Sequence, residues 1–382
     1  MDDLKWVFEL SFFELRYFDL TNFFICILFI IVLSILNKTP VMYSGVLILH
    51  CIIPFISYGV LFSYDYMPDI LKYWSTVNDI RHGELSIIGA FSAEGNIPSA
   101  SAFFSLMPLP FVVSPLSLGF YSKFIYIGLF FWLYKKNIFT PVSIWFYLLY
   151  PSLALYSGLG LRDNLILLFM MVFTQWARER QWLYMALSAW SIYMIKFQNF
   201  YIVVPALILY VVFKLKEKGL SLISGITIAF IAIISLALLS PLVLPVINKF
   251  RVSMFVEDGG DKDMISLINT PADFVFEGVT SGFYFLMKPF IWEAGNLLQL
   301  VQSIENIFVV LFLAILIKVA WILDKSKLIY WVLFIVFALS IYGLVVFNYG
   351  TATRYRFPFI VMFVVFLCAD CNVKSMKIGG SR

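Results

Sequence analysis

Gly160-Leu-Arg-Asp-Asn-Leu-Ile-Leu-Leu-Phe-Met-Met-Val-Phe-Thr-Gln-Trp-Ala177 holds the key to the fold. Two charges open the stretch at Arg162 and Asp163, and none follows until Arg178. A helix of about 20 mostly apolar residues crosses roughly 30 Å of hydrocarbon. This segment therefore reads as a membrane span with its charges at one end. Working outward, the same pattern recurs at 21–37, 41–63, 117–134, 138–156, 182–197, 199–213, 221–245, 304–323, 328–347 and 357–371, which with 160–177 makes about eleven spans (10–12). Segment 101–115, with Pro108, Pro110 and Pro115, reads as a re-entrant or interfacial piece instead.

Composition agrees. The 382 residues are 62% hydrophobic and 13% charged, whereas an ordinary globular domain has about 25% charged residues. Such a chain has too little polar surface to dissolve in water. The expected fold is an all-α polytopic membrane protein forming a single helical domain over 1–377. Two long hydrophilic insertions interrupt it, at about 64–116 (most polar over 64–100) and 246–303, and a short tail at 378–382 is set aside. Four cysteines in or beside apolar runs imply no disulfide framework, and Cys368-Ala-Asp-Cys371 has no second half. No zinc spacing, phosphate loop, nucleophile elbow or dinucleotide fingerprint appears, and no basic run suggests nucleic acid.

Orientation follows from short loops. Lys135-Lys136, Arg178-Glu-Arg180, Lys214 to Lys218, Lys325-Ser-Lys327 and Lys374 to Lys377 fall on one face of the eleven-span arrangement, which the positive-inside rule makes cytoplasmic. Both insertions, the Arg162 turn and the Arg354 turn then lie outside.

That outer face collects the candidates. After the second span come Tyr64-Asp65-Tyr66, Asp69, Tyr73 and Asp79-Ile-Arg81-His82-Gly-Glu84. Asp65 at the interface suits a general base if burial raises its pKa, or equally a solvated acid capping a helix. Asp79 and Glu84 read as solvated loop acids. Arg162 at a helix start adds to the positive end of the dipole and favours an anion, while Asp163 or Asn164 caps the helix. Arg354 and Arg356 precede Pro358, which favours extended backbone, so both guanidinium forks would face one phosphate-like ligand. Snorkelling to headgroups is the plainer alternative. Lys288-Pro-Phe-Ile-Trp292-Glu293 leads into Asn296, Gln299, Gln302 and Asn306, a polar stripe at helical spacing. Trp292 also fits an interfacial anchor. The acidic stretch Glu257 to Asp263 reads as a solvated tip, and mid-span His50 as a helix-contact residue. The span interiors carry almost no charge, which favours an enzyme over a transporter.

At Tyr64-Asp65-Tyr66 with Tyr73, Gly160-Leu-Arg162-Asp163-Asn164, Lys288-Pro-Phe-Ile-Trp292-Glu293 and Arg354-Tyr-Arg356, the chain resembles the Wzy-type O-antigen polymerases and related polysaccharide polymerases of bacterial inner membranes. Asp163 stands where that family's turn has Gln, and Lys288 where relatives often have Arg. The resemblance implies a GT-C-like membrane glycosyltransferase, metal-independent and without cofactor, its active site facing the periplasm. It would join undecaprenyl-pyrophosphate-linked repeat units into a surface polysaccharide among membrane lipids, alongside a chain-length regulator of the co-polymerase type. Arg162, Arg354 and Arg356 would hold the pyrophosphate. Asp65 or Glu293 would be the base, with His82 and Arg81 as secondary candidates. Lys288, Tyr66, Tyr73, Trp292 and Asn296 would complete the substrate contacts. A lipid-linked oligosaccharide flippase or an O-antigen ligase is the alternative reading, and a membrane acyltransferase the weakest.

Overall fold

A computed structural model describes residues 12–58, 60–62 and 68–376. Almost all of these residues are helical, and none of them forms a strand. Among the described residues, six helices are long and apolar enough to cross a bilayer, and two shorter apolar stretches, Val41–Ser57 and Leu222–Ala232, accompany them. The chain is an all-α, membrane-embedded protein. Its internal packing groups into two compact units, residues 1–139 with 144–201, and 140–143 with 202–382.

In the first unit, α1 (Phe12–Asn37), α2 (Val41–His50) and α3 (Ile53–Ser57) precede the first insertion, which folds as α4 (Pro68–His82), α5 (Ile87–Ser92) and α6 (Asn96–Ser105). Then come α7 (Pro115–Lys135), α8 (Pro141–Leu149), α9 (Pro151–Tyr156) and α10 (Asp163–Glu179). Helix α7 has no separate polar face, which suits a helix with neighbours all round. Its apolar window is 83% buried, against 22% for α1, whose Phe24, Leu28, Ile35 and Leu36 face outward. Lipid takes the place of core packing for such faces. Ser114 caps α7 reciprocally with Ser117, and Pro115 follows in the first helical position, where a missing N–H costs nothing. The buried Asp19 carboxylate of α1 accepts from both serine hydroxyls, at 3.0 and 2.7 Å.

Helix α11 (Trp182–Val212) is broken by extended backbone at Lys196, within one residue or two of the break expected between 197 and 199. In the second unit α12 (Leu215–Lys218) and α13 (Leu222–Glu257) lead to α14 (Pro271–Met287), α15 (Leu297–Val345) and α16 (Tyr349–Cys371). Helix α15 breaks at Asp324, between the two spans read at 304–323 and 328–347. Helix α16 is the most buried of the long apolar helices described in the second unit.

Two expectations change. Helix α13 runs on to Glu257 through Pro241 and Pro245 instead of stopping at 245. The insertion 246–303 is also not hydrophilic throughout. Its middle is α14, started by a Thr270–Asp273 capping box and packed against the second half of α15. A Cβ on Gly343 of α15 would lie 2.4 Å from the Ser281 backbone, and one on Gly282 would lie 2.9 Å from that of Ser340. Small residues thus bring the two backbones together, as in membrane helix pairs.

Candidate functional site

In the first unit the insertion folds upon itself. Tyr73 and Trp74 are buried, and Trp74 Nε1 donates to the Val112 carbonyl at 2.9 Å. Arg81 reaches across to the irregular segment after α6. Its Nη1 donates to the Leu109 and Pro110 carbonyls at 2.6 and 3.5 Å, and its Nη2 to those of Ser105 and Met107 at 3.1 and 2.6 Å. The guanidinium also lies 4.9 Å from the Tyr121 ring centre. Arg81 was expected to contact substrate; its donors are instead spent on the proline-rich loop. His82 remains exposed, its Nδ1 3.0 Å from the Asn78 carbonyl oxygen. Beside it opens a cavity of about 950 Å³ lined by Asn78, Asp79, Arg81, His82, Glu84 and Phe111, among others. Tyr73 sits in the core beneath that insertion and not on its surface. Asp65 and Tyr66 lie outside the described residues.

Arg162 is the N-cap residue of α10 and is half-buried. The turn carrying it is gripped by one face of α7. Asn164 Nδ2 donates to the Ser122 carbonyl at 2.6 Å, and Gly160 N to the Tyr58 hydroxyl at 3.1 Å. A Cβ on Gly160 would meet Leu118 at 2.3 Å, and one on Gly119 would meet the Gly158 carbonyl at 2.4 Å. Only glycine permits that approach.

Charge inside the first unit departs from expectation. The span interiors were read as nearly charge-free, yet Lys123 in α7 has no exposed surface at all. Its Nζ donates to Ser157 Oγ at 2.7 Å and to the Ala154 carbonyl at 3.1 Å, and it lies 4.9 Å from the Tyr126 ring centre. His50 Nδ1 is 3.1 Å from the Tyr126 hydroxyl, a helix contact as expected. Lys123 was legible: a lone lysine inside a 21-residue apolar run is expensive enough to need a reason.

In the second unit Glu293 is the organising acid. Its Oε2 accepts from Phe290 N at 3.1 Å and from the Tyr349 hydroxyl at 3.5 Å, while Oε1 faces Lys288 Nζ at 3.6 Å. The Lys288 ammonium also lies 4.9 Å from the Tyr284 ring centre. A cavity of about 220 Å³ adjoins, lined by Tyr284, Phe285, Lys288, Phe347 and Tyr349 with smaller residues between. Trp292 stacks on Phe290 with 4.9 Å between ring centres and is 80% exposed. Asn296 caps α15 by accepting from Gln299 N at 2.9 Å. The polar stripe is real but closes on itself, with Gln302 Nε2 donating to Asn306 Oδ1 at 3.0 Å.

The arginine pair is a correction. Residues 349–371 form one helix, so Arg354 and Arg356 point about 160° apart instead of sharing a face. Arg354 is half-buried and lies 5.8 Å from the Tyr355 ring centre. Arg356 is 2% exposed, and its Nη1 donates to the carbonyls of Phe285, Leu286 and Lys288 at 2.9, 2.8 and 3.2 Å. Its Nη2 donates to Asn306 Oδ1, and Asn306 Nδ2 in turn donates to the Met287 carbonyl at 2.9 Å. Together they satisfy the last carbonyls of α14, which no helical N–H reaches. Sequence reading overlooked Arg251 as well. It is 4% exposed, donates to the Leu344 and Ser266 carbonyls at 2.9 and 3.1 Å, and pairs with Glu277 at 3.3 Å.

Among the described residues, no three His, Cys, Asp or Glu side chains gather where a metal ion would be held. All four cysteines are free and buried. No family model matches the chain, and no curated protein or solved structure matches it either.

Proposed function

We propose that this chain is a membrane glycosyltransferase that polymerises undecaprenyl-pyrophosphate-linked repeat units into a surface polysaccharide. Eleven spans would place its two insertions in the periplasm. The observation that carries the reading is the Glu293–Lys288–Tyr349 constellation beside its cavity: a carboxylate held by a backbone N–H and a phenol, 3.6 Å from an ammonium. A carboxylate so placed takes the proton from an acceptor sugar hydroxyl. That oxygen then bonds to the donor's anomeric carbon as the bond to pyrophosphate breaks. Lys288 and Arg354 supply cations for the phosphate oxygens. Arg162, in the first unit, is assigned separately to a lipid-linked pyrophosphate. Arg356 and Arg81 leave this list because backbone carbonyls occupy them.

Glu293→Gln keeps the side chain's shape and removes the base. It should insert and fold normally while polymerisation falls by roughly 10²–10⁴-fold. A full-length glycan ladder from that variant excludes Glu293 as the base. The wider reading rests on cells lacking the gene. Lipopolysaccharide core bearing a single repeat unit, with the ladder gone, supports a polymerase, whereas an unchanged ladder sinks it for that pathway. One observation favours the transporter alternative: Lys123 buried inside α7, since carriers place charge within the bundle. A single lipid-linked unit stranded on the cytoplasmic side would establish that reading. Long glycan accumulating on the lipid carrier outside would establish a ligase.

A further inference from the structure

We propose that Lys123 is a positioning residue for Arg162, holding the turn that carries it. The inference rests on reading Arg162 as a contact for lipid-linked pyrophosphate.

An ammonium in a bundle surrounded by lipid is costly unless its protons are accepted. Lys123 has two oxygen acceptors and one ring face, and no carboxylate among the described residues lies within ion-pairing distance of it. Both oxygens belong to one short stretch. Ala154 lies in the last turn of α9, and Ser157 is the first residue beyond it. The ammonium therefore fixes the end of α9 by a carbonyl, which carries the negative end of the helix dipole, and by the hydroxyl next to it. Five residues later comes Arg162.

The other anchors lie on the same face of α7. Leu118, Gly119, Ser122 and Lys123 follow helical spacing i, i+1, i+4, i+5, two adjacent rows within an arc of about 140° on one side of the helix. Leu118 and Gly119 receive Gly160 and Gly158 at backbone distance, and Ser122 accepts from Asn164. From Ser157 to Asn164 the turn is thus held at successive points, and Arg162 sits between the Gly160 and Asn164 anchors. Packing alone would be served by Met or Leu at 123. The amine adds two directed hydrogen bonds, which set where the turn starts. A shift of about 1 Å in such a turn moves a guanidinium out of bidentate range of a phosphate, and losses of that origin reach 10²-fold.

The test measures binding of undecaprenyl pyrophosphate by the detergent-solubilised full chain, using intrinsic tryptophan fluorescence. The variants are Arg162→Ala, Ser157→Ala, Lys123→Met and each of the last two combined with Arg162→Ala. Ser157→Ala removes the hydroxyl that receives the amine, together with that hydroxyl's own 3.0 Å bond to the Ala154 carbonyl, and it decides the matter through its double variant even if Lys123→Met fails to fold. Arg162→Ala should weaken binding by at least 10-fold, Lys123→Met by a similar factor and Ser157→Ala by about 3-fold. Each double variant should bind no more weakly than Arg162→Ala alone, because a positioning residue has nothing left to position. A general packing defect would instead lower the melting temperature and add to the Arg162→Ala loss. Weakened Arg162→Ala with normal Ser157→Ala, or additive losses, overturns the role of Lys123 and leaves the Arg162 reading standing. Normal binding by Arg162→Ala overturns the Arg162 reading and the inference together.

Discussion

Arg81 and Arg356, one half-buried and one buried, each help to close one of the two long insertions, but onto different things. Arg81 belongs to the first insertion and grips carbonyls 24 to 29 residues further along the same segment. Arg356 belongs to α16, outside the second insertion, and grips carbonyls 68 to 71 residues earlier in the chain. The first insertion is fastened to itself, whereas the second, besides the internal Arg251 contacts to Ser266 and Glu277, is fastened to the most buried helix of its unit. An arginine beside a glycine- or proline-rich loop therefore has two uses that look alike in sequence. It binds an anion where the loop leaves its fork open, and it caps carbonyls where the loop closes over it.

The sharpest way to break this comparison is to remove each fork. Arg356→Met leaves three carbonyls without this donor and Asn306 Oδ1 with Gln302 alone, at a side chain only 2% exposed. A buried acceptor left unmet costs about 1–3 kcal/mol, and three carbonyls lose their donor here. The melting temperature of the detergent-solubilised protein should fall accordingly, with α14 losing its protection from amide exchange. Arg81→Met frees four carbonyls in a partly exposed setting and should cost less, about 1–3 kcal/mol. Its damage should stay local, seen as faster proteolysis between 105 and 113 with the rest intact. Equal melting shifts for the two variants would remove the distinction between a self-fastened and a core-fastened insertion.

A finer probe concerns α14 alone. Gly343→Ala pushes a methyl group into the Ser281 backbone, and overpacking of that kind costs about 1–3 kcal/mol. Gly83→Ala, in the first insertion, meets no atom within 4 Å and bears only the penalty of its positive φ of 84°, about 1–2 kcal/mol. Guanidinium unfolding curves separate them. Gly343→Ala should lower the midpoint of the second unit, and Gly83→Ala should leave that unit unchanged.

Much of the architecture was written in hydropathy. The helix breaks at Lys196 and Asp324 fall where charge interrupts an apolar run, and the stripe from Asn296 to Asn306 follows plain helical spacing. Helix α14 escaped because its 17 residues include Asp273 and Glu277 and fall short of a full crossing. It forms because Thr270 caps it and Gly278 and Gly282 admit a neighbour, and neither signal is a matter of hydropathy. Arg356 was misread for a different reason. Pro358 argues locally for extended backbone, but Asn348 caps the segment by accepting from Gly350 N and Thr351 N, and burial of the helix outweighs the local preference. Lys288, Trp292 and Glu293 were legible as a cluster because six consecutive residues carry them. Tyr349, which completes the cluster, comes from 56 residues away, and no local pattern links it to Glu293.

Trp292 offers the smallest and most discriminating effect. Its ring is 80% exposed and touches Phe290 in a stack, so Trp292→Ala removes little buried surface. Exposed substitutions of this kind stay within about 0.5 kcal/mol. In detergent, then, the melting temperature should not move. What does move separates two uses of an exposed indole. If the ring anchors the protein at the interface, the loss appears only in bilayers, as a lower melting temperature in vesicles with unchanged acceptor kinetics. If it carries a sugar face beside Glu293, KM for the acceptor glycan rises several-fold in detergent and vesicles alike, with kcat retained, because the contact is the same in ground and transition states. The second result would make the Lys288–Glu293 loop a surface that receives substrate, and would set it apart from the first insertion, whose Trp74 is buried against its own backbone.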